Sequence, residues 1–137
     1  MSQRIYLDSC IVIYLVEKNP LFAEKITARI EQTLSDEKVL AVSPLVKLEV
    51  LAKPLRDKDT NLIQTFENFL ATLEFLSIPD SVYETALQLR ANYHLKVPDA
   101  LHLAIAQHHN CVDFWTNDNR LEIAAKQLNI QSFMPEA

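Results

Sequence analysis

Short apolar, β-prone runs alternate along this chain with longer stretches whose apolar positions recur every three or four residues. Ile5, Tyr6 and Leu7 form the first run, which stops abruptly on a carboxylate, Asp8. Ser9 can cap a helix whose first turns are Ile11 to Leu15, although Asp before a helix is itself an ordinary cap. Pro20 is then expected to open a second helix with Phe22, Ile26, Ile30 and Leu34 in one stripe. Val39 to Val42 reads as a second buried strand. Ser43-Pro44 reads as a strong helix start, a capping hydroxyl followed by proline at the first helical position, and Glu49 stands among the apolar residues Leu45 to Leu51. Lys53 to Asp59 reads as a charged break. Leu62, Phe66, Phe69, Leu70 and Leu73 follow as a helix with a broad apolar face, and Glu74 to Ile78 as a short strand. Pro79-Asp80 starts a helix through Val82, Ala86, Leu89 and Tyr93. Val97-Pro98-Asp99 opens another, ending near Asn110, with Asp99 in its first turn. Val112 to Trp115 is the last strong strand. Thr116 to Asn119 caps a helix from Arg120 to Leu128, and Gln131 to Phe133 reads as an edge strand.

Strands alternating with helices predict a three-layer α/β fold around a mainly parallel sheet. That topology turns four scattered acids into one constellation. Asp8 ends the first strand and Asp118 follows the strand at Val112, so both belong at the carboxyl edge of the sheet, where open α/β sheets bind ligands. Glu49 lies on the helix that leaves the second strand at that edge. Asp99 begins a helix running back antiparallel to the strands, so its N-terminus is there as well. Gathered carboxylates repel one another unless protonated or met by cations. Oxygen-only ligands suit Mg²⁺ or Mn²⁺, and such an ion supports phosphodiester hydrolysis by making a hydroxide from bound water.

At 137 residues and 49% hydrophobic composition the chain is expected to form one domain, 1–137, with one core. Its apolar runs are shorter than a membrane span and no signal-like segment leads it, so a cytoplasmic protein is expected. The complete absence of glycine excludes phosphate loops and dinucleotide fingerprints. Turns are expected to fall to Asn19-Pro20, Ser43-Pro44, Pro79-Asp80, Asn110, Asn119 and Asn129. A net charge of -5 argues mildly against nucleic-acid binding through phosphate contacts alone, but a loaded metal site inverts the local charge. Cys10 and Cys111 are expected at opposite edges of the sheet, unbridged.

The stretches L-D-S-C-I-V-I-Y-L, S-P-L-V-K-L-E-V, V-P-D-A-L-H-L-A-I-A and W-T-N-D-N-R-L, in that order, resemble the four motifs of PIN-domain ribonucleases, particularly VapC-type toxins of bacterial toxin–antitoxin pairs. The resemblance covers nearly the whole chain and implies a single PIN domain with a three-layer α/β/α fold. It implies that Asp8, Glu49, Asp99 and Asp118 are the catalytic acids, that Asp8, Asp99 and Asp118 hold Mg²⁺ (with Mn²⁺ able to substitute), and that Ser9, Thr116 and Asn117 support the site. It also implies an RNA substrate, a small antitoxin partner and a homodimer, with the apolar helices from Leu45 to Leu73 as the place to look for the dimer contact. The sequence departs from the common pattern in lacking glycine before the third motif, where His94-Leu95-Lys96 stands, and in having Cys10 where asparagine is frequent.

Each feature has a plainer explanation. Asp99 and Asp118 suit helix N-termini electrostatically, and Glu49 can be a solvated helix residue. His102, three residues after Asp99, can pair with it as a ligand, but a packed or hydrogen-bonded histidine suits a Mg²⁺ site better. His108 and His109 read as surface residues complementing a helix dipole. Lys47, Arg90, Lys96 and Arg120 can touch RNA phosphates or simply be solvated charges. Two rival functions stand beside the nuclease: a phosphotransferring domain with Asp8 as nucleophile, weakened by Cys10 two residues on, and a PIN-like binding module without turnover.

Overall fold

The computed structural model describes residues 2–125 and 128–132. Strand β1 (Arg4–Leu7) is followed by α1 (Ser9–Val16), α2 (Ala23–Ser35), β2 (Val39–Val42), α3 (Pro44–Arg56) and α4 (Thr60–Leu70). After them come β3 (Glu74–Phe75), α5 (Asp80–Tyr93), α6 (Val97–His108), β4 (Asp113–Thr116), a 3₁₀ segment (Asn119–Ala124) and β5 (Asn129–Ser132). The five strands form one parallel sheet in the order β3-β2-β1-β4-β5. Helices α1 to α4 pack together, as do α5, α6 and the 3₁₀ segment, which gives the expected three-layer α/β/α arrangement. The chain winds outward from β1 through β2 to β3 and then returns to lay β4 on the other side of β1. The switch point therefore falls beside β1, at the carboxyl ends where Asp8 and Asp118 emerge.

The core is built on β1, β2 and β4, where Ile5, Tyr6, Leu7, Ala41, Val42, Phe114 and Trp115 are essentially inaccessible. Both faces of these strands are covered, so they read as continuous apolar runs without alternation. Several elements differ from the sequence pattern for identifiable reasons. The second helix starts at Ala23, because Asn19 Oδ1 accepts from the backbone of Leu21 and Phe22 and holds Pro20 in the turn. Its stripe runs through buried Phe22 and Ile26 but leaves Leu34 59% exposed. Steps of four residues overshoot a helical turn by about 40° each, so Leu34 has drifted about 120° from Phe22. The charged break proves to be helical as far as Arg56: α3 runs through Pro54, whose fixed φ suits a helix and whose ring is buried. The third strand shrinks to two residues and the fifth starts at Asn129. The helix expected from Arg120 to Leu128 is 3₁₀ over Asn119–Ala124; its residues 126 and 127, and Phe133 of the expected edge strand, lie outside the described residues.

The turns differ most. Among the described residues, left-handed backbone occurs at Lys18, Glu37, Lys58, His94 and Asn110, with φ of 54–58°. Of the residues expected to make the turns only Asn110 takes this geometry; charged or ring-bearing side chains carry the rest. His94 ends α5 in this conformation at the place where the related motif has glycine. A side chain with a Cβ costs roughly 1–2 kcal/mol there, partly offset by the greater unfolded-state entropy of glycine. Lys58→Gly or His94→Gly is therefore expected to stabilise the fold by about 0.5–1 kcal/mol, read as a rise of about 2–4 °C in thermal midpoint. A fall in midpoint for both would show that these residues hold their turns by contacts rather than against strain.

Candidate active site at the sheet switch point

Asp8 is both a helix cap and the centre of the rim. Its backbone N–H donates to the Trp115 carbonyl at 3.0 Å, extending the β1–β4 ladder by one residue, and the chain then turns into α1. The Asp8 carboxylate caps that helix by accepting from the Ser9 backbone N–H at 2.8 Å through Oδ1. Oδ2 accepts from the Thr116 hydroxyl at 2.9 Å, across to the end of β4. Both residues are buried, so the orientation of the carboxylate is fixed from two sides. Ser9 and Thr116 thus both hold the Asp8 carboxylate. The Asn117 amide donates to the Tyr14 hydroxyl at 2.7 Å and ties the end of β4 to α1.

Glu49 reaches the same point from α3. The Ser9 hydroxyl donates to Glu49 Oε1 at 2.9 Å and lies 3.3 Å from Asp8 Oδ1, so one serine joins the two acids. His102 Nε2 meets the same Glu49 oxygen at 2.5 Å and stands 3.7 Å from Asp8 Oδ1. Burial raises the Glu49 carboxyl, but the hydrogen bond and charge of His102 and the hydrogen bond of Ser9 outweigh it and hold the group below its ordinary value.

Asp99 and Asp118 face the rim from the other side. The Asp99 carboxylate, half-buried in the first turn of α6, makes no hydrogen bond among the described residues. Burial raises its pKa, and the charges of Asp8 and Asp118 raise it further, with His102 and Lys96 opposing. Asp118 caps the 3₁₀ segment by accepting from the Arg120 backbone and is clasped by the Arg120 guanidinium at 2.6–3.0 Å; that bond chiefly lowers its pKa. A cavity of about 190 Å³ opens between them, lined by Lys96, Asp99, Asp118 and Arg120. Asp118 therefore has cationic company: Arg120, from the same motif, pairs with it. The Arg90 Nε donates to the Leu95 carbonyl at 3.2 Å, in the loop before α6.

The donor chemistry of the rim suits a hard divalent cation. The charges of Asp8 and Asp118 both raise the Asp99 carboxyl, and the Asp99 oxygens have no competing hydrogen bond among the described residues. The spacing is not that of a closed ligand set: among the described residues, no three His, Cys, Asp or Glu side chains stand together as a preformed metal-ligand group. Cys10 and Cys111 are free, and burial followed by the Asp8 charge pushes the Cys10 thiol up to about 12, far from reactive thiolate.

Two residues behind the rim were not visible as site residues in the sequence. The Tyr6 hydroxyl lies 2.6 Å from His102 Nδ1 and 2.8 Å from the Ser43 hydroxyl. Ser43 precedes α3 but makes no side-chain cap bond, because its hydroxyl is turned to Tyr6. The one available signal was the tyrosine itself, since a phenol inside a buried strand needs a partner.

Comparison with solved structures finds the same fold in toxin–antitoxin proteins. VapBC2 from Rickettsia felis, bound to a DNA fragment from its promoter, superposes with a TM-score of 0.79 at 18% identity, covering 95% of this chain and 98% of that one. A toxin–antitoxin complex from Klebsiella pneumoniae gives 0.69 at 24% identity, covering 90% and 94%. VapC20 from Mycobacterium tuberculosis, a toxin that cleaves the sarcin–ricin loop, gives 0.67 at 14% identity, covering 88% and 94%. At such identities the likeness speaks for the fold. No curated protein sequence matches the chain. The PIN domain family matches residues 5–127, a span that begins in β1 and takes in Asp8, Glu49, Asp99 and Asp118. By that match the chain belongs to the PIN domain family.

Proposed function

We propose that the protein is a metal-dependent endoribonuclease that hydrolyses RNA phosphodiester bonds, and that it is the toxin of a toxin–antitoxin pair. The observation that carries the reading is Asp99: a half-buried carboxylate without a hydrogen bond among the described residues, raised by burial and by two further carboxylates at a sheet switch point. Such an arrangement is unfavourable for folding and makes sense as one half of a cation site. The toxin role is supported by the matched family and by the toxin–antitoxin relatives of the same fold.

In this reading Asp8, Asp99 and Asp118 hold Mg²⁺ or Mn²⁺. When bound, the ion lowers the pKa of a coordinated water and offsets negative charge on the phosphate. The residues of the chain do the rest. Asp8 keeps one orientation because Ser9 and Thr116 both hydrogen-bond it. Glu49, held below its ordinary pKa, stays ionised at neutral pH and is able to accept a hydrogen bond from the attacking water. A homodimer and a small antitoxin belong to the same proposal. Leu48 and Leu55, seven residues apart on α3, are more than half exposed and supply an apolar contact strip for a partner.

The Asp118–Arg120 pair favours a second reading, a PIN-like module that binds a partner without turnover. A time course on structured and unstructured RNAs in Mg²⁺, with and without chelator, and a calorimetric titration with Mn²⁺ separate the two. Cleavage abolished by chelator together with Mn²⁺ uptake is the expected result. No cleavage and no Mn²⁺ uptake would establish the binding module.

A further inference from the structure

We infer that His102 is the positioning residue of this site: its Nε2–H holds the Glu49 carboxylate against Ser9 and Asp8, and Tyr6 and Ser43 fix the imidazole from behind. The inference rests on the nuclease reading of the rim and names how one of its acids is set in place.

Tyr6, Ser43 and His102 are each at most 1% exposed. Three polar side chains in an apolar core are costly unless all are paired. Here each is paired through the others, and the series ends on the one member that reaches the rim, Glu49. Packing alone does not call for this. The Tyr6 ring stacks on Phe114 at 5.4 Å and 9°, so phenylalanine would fill the same space. Ser43 gives up the helix-capping bond its position offers in order to meet Tyr6.

For a neutral imidazole the donors have one consistent direction. An ionised carboxylate only accepts, so Nε2 carries a proton and donates it to Glu49. A neutral ring protonated there has a lone pair on Nδ1, to which the Tyr6 hydroxyl donates, and Tyr6 in turn accepts from Ser43. Burial above all, with the charges of Asp8 and Glu49, holds the Tyr6 phenol well above its ordinary pKa, so it keeps the proton it donates. The ring nitrogen nearest the rim is thereby used up on Glu49. Its 3.7 Å separation from Asp8 Oδ1 exceeds hydrogen-bond distance, and His102 is not a metal ligand.

The test uses the full chain with three substitutions. His102→Leu removes the donor, His102→Gln places an amide N–H where Nε2 was, and Tyr6→Phe removes only the hydroxyl behind the ring. Imidazole ¹⁵N–¹H spectra of the wild type, with His102 assigned by its loss in His102→Gln, are expected to show the Nε2–H tautomer; Tyr6→Phe, which leaves the Glu49 acceptor in place, is expected to keep Nε2–H and to shift the Nδ1 resonance that loses its hydrogen bond. On an RNA that the wild type cuts, His102→Leu is expected to lower kcat by about 10–100-fold with KM and Mn²⁺ affinity within twofold, and His102→Gln to restore most of kcat. A wild-type Nδ1–H tautomer, or a folded His102→Leu with unchanged kcat, would overturn the inference, and the spectra decide it even if His102→Leu does not fold. A wild type that binds no Mn²⁺ and cuts no RNA would instead overturn the nuclease reading, a different outcome from a wild type that cuts RNA no faster than His102→Leu.

Discussion

Asp99→Asn is expected to lose more than about 100-fold in RNA cleavage while melting at a higher temperature than the wild type at neutral pH in chelator. The activity loss follows from removing a proposed direct ligand, since even an outer-shell partner of a metal site is worth about 10–100-fold. The gain in stability follows from the sign of the pKa shift. Burial, then Asp8, then Asp118 raise the Asp99 carboxyl above its ordinary 3.8. A group raised on folding penalises the folded state once it ionises, so the penalty is absent below pH 3.8 and complete once the pH has passed the raised value. Asparagine never ionises. The difference in thermal midpoint between variant and wild type should therefore be near zero at pH 3 and open as the pH rises through the carboxylate range. A variant that melts below the wild type at pH 7 would mean that Asp99 is satisfied in the fold rather than held in readiness for a cation.

The second large effect is at Asp8, where activity and stability should be lost together in one variant and separately in another. Asp8→Ala removes the cap of α1, worth about 1 kcal/mol, and leaves the buried Thr116 hydroxyl without its acceptor, worth about 1–3 kcal/mol more. A loss of roughly 2–4 kcal/mol is expected from denaturant midpoints, together with loss of cleavage. Asp8→Asn keeps an oxygen for the Ser9 N–H, and the Thr116 hydroxyl can rotate to accept from the new amide. Its stability should stay within about 1 kcal/mol of the wild type while cleavage is lost as completely as in the alanine variant. Full cleavage in Asp8→Asn would remove Asp8 from the proposed ligands and leave it as a cap.

Much of this site was legible in the sequence because topology did the work. An acid ending a buried strand, another after a later strand and a third opening the helix between them must share a sheet edge once the strands are parallel, whatever the side chains do afterwards. Local chemistry was less legible where two roles compete for one group. Ser43-Pro44 starts a helix as expected, but the hydroxyl serves Tyr6, which is 37 residues away. Arg120 looked like a surface charge, and its partner turned out to be the nearby acid Asp118. The Tyr6–His102 contact spans 96 residues and follows no periodicity, so no pattern along the chain announces it. Turns escaped for another reason: in a chain with no glycine, left-handed positions fall on lysine, glutamate and histidine, residue types that carry no turn signal.

The strand order has a consequence for how the molecule comes into being. β1 is made first yet lies in the middle of the sheet, and its partner on one side, β4, contributes the Thr116 hydroxyl that fixes Asp8 from 108 residues further on. At roughly 5–20 residues per second, a ribosome needs roughly 5–20 seconds between finishing Asp8 and finishing Thr116. Throughout that interval the flank of the central strand that β4 covers is open, and by its end three of the acids have been made around a rim that does not yet exist. A chain released early, or cut short within α6, therefore carries Asp8, Glu49 and Asp99 without the strand that aligns them. For a protein proposed to cut RNA, the proposed site therefore stays unassembled until Thr116 has been made.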